Sequence, residues 1–171
     1  MTARTTSTAD LLAVRDSARL YQEGMIAGIL GAATVALWFL LLDSAAGRPL
    51  YTPTVLGTAI FRRGDLASPE TLSVSLEMVG MFTWVHTLVF VALGGVASWL
   101  LGKAEDHPSW GFGLLLLFVV FEFGFIAVAL AFAAPVLRLV PWPSVLAANL
   151  LAAAAMCAYF WRRHPRLVVA P

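Results

Sequence analysis

Four apolar runs, at about 25–42, 79–101, 112–134 and 143–161, dominate the chain. Each is close to the ~20 residues a helix needs to cross a hydrocarbon core about 30 Å thick. No water is present there to bond backbone N–H and C=O groups, so a run that enters a bilayer must become a helix that satisfies its own backbone. The expected fold is therefore all-α, an integral membrane four-helix bundle. Composition agrees, with 60% apolar residues, 12% charged and a mean hydropathy of +0.85. The stretch "SAAG" after the first run mimics a signal cleavage site. That run is nevertheless longer than an h-region of about 7–15 residues and follows a polar stretch, so it reads as a retained span.

The runs divide the chain into an N-terminal segment 1–24, a membrane domain 25–161 with a long loop at 43–78, and a basic tail 162–171. In the first segment Leu11, Val14, Ala18, Tyr21 and Met25 recur at steps of three and four, the stripe of an amphipathic helix. Its charges are mixed, and Arg19 and Glu23 make an i,i+4 pair. Both a docking helix and a solvated extension of the first span fit that pattern. In the loop, Thr52-Pro53 reads as a helix cap and first residue, followed by apolar Val55, Leu56, Ala59 and Ile60. This piece is too short to span, so the loop is expected to be partly helical at the interface. Ser68-Pro69-Glu70 gives a second start signal, from which one helix is expected to run into the second span.

Orientation follows from the basic residues. With four spans, Arg4, Arg15, Arg19, Lys103, Arg162, Arg163 and Arg166 share one side, against Arg48, Arg62, Arg63 and Arg138 on the other. The positive-inside rule then places both termini in the cytoplasm of a bacterial-type plasma membrane and the 43–78 loop outside. Trp38, Trp84 and Trp142 fall near the outer ends, and Trp99, Trp110 and Trp161 near the inner ones, like interfacial belts.

Lipid tails are as apolar as leucine, so the spans must associate through close packing and hydrogen bonds. Small-residue stripes at four-residue spacing supply the first: Gly24, Gly28, Ala32 and Ala36; Gly94, Ser98 and Gly102; Ser144, Ala148 and Ala152. Whether they meet spans of the same chain or of another subunit is left open by the pattern. For the second, each span carries one prominent polar residue, Thr34, His86, Glu122 and Asn149. At ~1.5 Å per residue they fall at comparable depth, suggesting one polar layer. A carboxylate there needs a partner, water or a proton, and His86 is the expected partner of Glu122.

Several functions lose support. A net charge of +1 gives no field for nucleic acid, and the lone Cys157 rules out an intrachain disulfide. No nucleophile, zinc or phosphate-loop motif is present, and the outer-loop contact candidates form no convergent site: Asp43 with Arg48 reads as a local ion pair at the exit of the first span, and Arg62 with Arg63 as contacts to anionic headgroups or a partner's acidic patch. No catalytic residue and no metal are expected. No cofactor is expected either, although ligation of a pigment or haem by His86 alone stays open; bis-histidine haem does not, because His107 and His164 lie outside the spans. Four-span multidrug exporters also use a membrane glutamate, but in the first span of a much shorter chain, so the likeness stops at class. The favoured reading is a non-enzymatic accessory, assembly or scaffold subunit that binds lipid and other membrane subunits or its own copies. The alternative is a small proton- or ion-translocating protein centred on Glu122 and His86.

Overall fold

The computed structural model describes residues 8–62, 72–107, 111–132 and 141–164. Every regular element among them is a helix: α1 (Thr8–Ala45), α2 (Tyr51–Phe61), α3 (Leu76–Asp106), α4 (Gly111–Phe132) and α5 (Trp142–Arg163). Among the described residues, three stretches are long and apolar enough to cross a membrane: Ala18–Ala45 of α1, Leu76–Glu105 of α3 and Trp142–Arg163 of α5. α4 has 22 residues and a single charged one, Glu122.

α1 is one unbroken helix of 38 residues, so the amphipathic segment and the first span are continuous. Its amphipathic stripe does not face the bundle. Ala18, Tyr21 and Met25 are exposed, whereas Glu23, Gly24, Ala27, Gly28, Gly31, Ala32 and Val35 are buried. The side chains of Leu11 and Val14 lie outside the described residues. Size decides the buried face here more than hydropathy does, because dispersion contacts between backbones need small residues, whereas large apolar side chains are equally well solvated by lipid.

The closest contact is between α1 and α3, which run antiparallel. A Cβ added to Gly24 would lie 2.8 Å from the Gly94 carbonyl oxygen, one on Gly28 would collide with the Phe90 carbonyl, and one on Gly94 would collide with that of Gly24. Only glycine permits this approach. Near the same crossing the Ser98 hydroxyl donates to the Leu20 carbonyl at 2.8 Å, tying the two helices together. On the other side of α1, Ala148 and Ala152 of α5 pack with Ala32, Val35 and Phe90. The small-residue stripes are thus used within the chain, except that Ala36 is exposed and Gly102 and Ser144 are half-buried. α4 lies antiparallel along α3, with Gly113 against Leu100 and the Phe121 ring edge-on to Phe90 at 5.7 Å.

α2 folds back over this assembly and buries Val55 and Ala59 against Val145, with Phe39 and Leu56 alongside. Its start differs from the expected Thr52 cap. Leu50 precedes the helix in left-handed geometry, at φ 65° and ψ 15°, and the free N–H groups of the first turn are satisfied from α1 and the turn. The Tyr51 N–H donates to the Arg48 carbonyl at 3.1 Å, Thr52 N–H to Asp43 Oδ2 at 2.7 Å, and Thr54 N–H to the Leu50 carbonyl at 3.2 Å. Pro53 has no N–H to satisfy. α3 also begins later than expected: residues 72–75 are not helical, and Ser75 caps α3 by accepting from the Met78 N–H at 3.4 Å. The start signal at Ser68 lies outside the described residues. Serine capping at the residue just before the apolar run outweighs any continuation into it from upstream.

Candidate functional site

The four residues expected to form one polar layer are separated into different environments. Thr34 is half-buried, and its hydroxyl donates to the Leu30 carbonyl of its own helix at 2.8 Å. His86 points Nε2 at the Ala32 carbonyl of α1, 3.3 Å away, and its ring lies between Phe82 and Phe90 with centroid distances of 5.5 and 4.8 Å. A carbonyl only accepts, so Nε2 carries the proton in that bond and Nδ1 of the neutral ring is left as an acceptor. Glu122 is buried at 8% exposure, and neither carboxyl oxygen has a hydrogen-bond partner among the described residues. The expected His86–Glu122 pair is replaced by a histidine bonded to α1 backbone. Asn149 is also buried, at 7% exposure, on α5.

His86 and Asn149 do share a space. A cavity of about 220 Å³ lies among α1, α2, α3 and α5, with Phe121 of α4 contributing to its wall. The lining is apolar and aromatic apart from His86, Asn149 and the threonines Thr52 and Thr83. Trp38, read as an interfacial residue, packs instead against the buried cluster around Phe90, and its indole N–H has no partner among the described residues. Trp84, Trp99, Trp142 and Trp161 are exposed, as interfacial anchors are. Cys157 is exposed and free.

A second buried glutamate carries the most developed polar site. Glu23 is 1% exposed, where α1, α3 and α5 come together. Its Oε1 accepts from Arg19 Nε at 3.0 Å and from Arg163 Nε at 3.2 Å; its Oε2 faces His164 Nε2 at 2.9 Å. The other nitrogen of His164 meets Glu105 Oε1 at 2.6 Å. With both carboxylates ionised, both ring nitrogens must donate. One imidazole therefore bridges α1 and α3 from the C-cap of α5. Sequence reasoning found the Arg19–Glu23 pair but read His164 as a tail residue. The one available signal was "RRH" directly after the last apolar run, at the depth where the antiparallel α1 places Glu23.

The residues of the 43–78 loop serve local structure. Both oxygens of Asp43 are taken by Thr52, through its N–H and its hydroxyl, each at 2.7 Å. Arg48 lies over the Tyr51 ring at 3.5 Å from the centroid, a cation–π contact. Arg62 pairs with Glu77 at 2.8 Å, linking the end of α2 to the start of α3. Arg63 lies outside the described residues. No group of three or more His, Cys, Asp or Glu side chains among the described residues is arranged to hold a metal.

An all-α chain whose long helices present Leu, Phe and Val outward points to the class of integral membrane proteins. No family model, no curated protein and no solved structure matches the chain.

Proposed function

We propose that the chain is a four-span protein of a bacterial-type plasma membrane with both termini cytoplasmic, acting without catalysis as an accessory or scaffold subunit of a larger membrane complex. α4 is the fourth span in this reading, and the basic residues give the orientation. What supports a scaffold is how the polar side chains inside the helices are used. His86 bonds α1, Ser98 bonds α1, and Thr34 and Thr87 bond their own helices, so these groups close joints instead of lining a route. The partner-facing surface lies elsewhere than on the small-residue stripes, which are occupied within the chain. The exposed face of α4, with Phe112, Leu116, Val119, Val120 and Phe123, is an apolar alternative.

Extraction of the full chain from native membranes in mild detergent tests this. Stoichiometric membrane subunits travelling with it are the expected result. A second reading, a proton- or ion-translocating protein, draws on the buried, unpartnered Glu122. A lone oligomer that carries a pH-linked flux in liposomes, lost in Glu122→Gln while assembly persists, would replace the scaffold by that reading.

A further inference from the structure

The cavity beside His86 is lined from all five helices, yet nothing in the scaffold reading uses it. We propose that it binds a neutral, lipophilic ring bearing a hydroxyl, the chemistry of an alkylphenol or hydroquinone headgroup. Charge is the first argument. None of the lining residues is Asp, Glu, Lys or Arg, so an ionised ligand would lose its hydration with no countercharge to replace it. Shape is the second, because Phe82, Phe90 and Phe121 offer ring faces and edges that suit a flat partner.

Hydrogen bonding narrows the class further. Asn149 is 7% exposed, lines the cavity and has no side-chain hydrogen bond among the described residues. An amide in that position can donate to a ligand oxygen and accept from a ligand hydroxyl. His86 already donates through Nε2 to Ala32, so what it offers a ligand is an acceptor at Nδ1. A hydroxyl can donate to the imidazole and accept from the amide, whereas a hydrocarbon chain can do neither. Size agrees, since an apolar cavity of about 150 Å³ admits benzene, and one of about 220 Å³ has room for a substituted ring. Of the lining residues, Ala36, Leu37 and Leu40 of α1 and Thr83 of α3 are exposed. A ligand dissolved in lipid would enter there and leave its tail in the bilayer.

The experiment is a calorimetric titration of the purified full chain in detergent micelles, with empty micelles subtracted, using 4-hexylphenol, its methyl ether and hexylbenzene. Saturable binding of one phenol per chain is expected, about tenfold tighter than either analogue, the effect of one good hydrogen bond. Equal binding of all three would overturn the proposal, because the cavity would then be a slot for any alkyl chain, including a lipid tail. Absence of saturable phenol binding would overturn it as well. In Asn149→Leu, provided helical content and elution are unchanged, the preference for phenol over hexylbenzene should fall by about threefold or more, and an unchanged preference would count against the site. The probe series on the unaltered protein decides the matter even where that variant does not fold.

Discussion

Two buried glutamates, Glu23 and Glu122, are treated in opposite ways by the same fold. Glu23 is almost fully enclosed, yet both of its oxygens find a cation or donor, from Arg19 on its own helix to Arg163 and His164 across the bundle. Glu122 is nearly as enclosed and has none among the described residues. Sequence depth alone would rank them the other way, with Glu122 in the more punishing position. The difference teaches that burial by itself says little about a carboxyl group. What matters is whether several helices converge on it with side chains long enough to reach, as Arg19, Arg163 and His164 do near the helix ends, where the two arginines stay about half exposed.

The comparison can be broken most severely at the α1–α3 crossing that brings the Glu23 site together. Gly94→Val forces two backbones apart, and about 3 kcal/mol or more of stability should be lost, read as a large drop in thermal midpoint of the purified protein in detergent. Retention of the wild-type midpoint would mean that the close crossing is dispensable. Next comes Glu23→Ala, which leaves His164 and two arginines facing a site without its carboxylate. Because Arg19 and Arg163 are about half exposed, the expected loss is moderate, about 2 kcal/mol.

Glu122→Leu should behave differently, changing stability by less than about 1 kcal/mol in either direction, since it removes a polar group that has no described partner and keeps the volume apolar. If it costs as much as Glu23→Ala, Glu122 is paired after all and the contrast between the two glutamates collapses. The smallest effect is expected for Arg62→Ala, which breaks the exposed pair with Glu77 and should cost about 0.2–1 kcal/mol. A loss comparable to that of Glu23→Ala would show that α2 depends on this clasp more than on its buried Val55 and Ala59.

Much of the architecture is legible in the chain. The long apolar runs become helices because the backbone has no alternative in hydrocarbon, and the short apolar piece after Thr52-Pro53 becomes α2 for the same local reasons of capping and composition. The small-residue stripes also find their place, because a backbone can approach another only over Gly, Ala or Ser, whatever the partner. The boundaries are less legible. Two different first residues fit the start of α2 from local chemistry, and the observed one depends on Asp43, nine residues away in sequence, reaching Thr52.

What the sequence by itself determined is the class and the identity of the close-packing surfaces, since both follow from properties each residue carries wherever it sits: hydropathy, size and the need to satisfy its own backbone. Which polar groups meet was decided only by the tertiary structure. Hydrogen bonding at this range depends on helix rotation, and neighbouring helical positions point about 100° apart, so a residue at the right depth still faces the wrong way. That is why His86 meets the Ala32 carbonyl instead of Glu122, and why His164, read from sequence as part of a tail, becomes the bridge between Glu23 and Glu105.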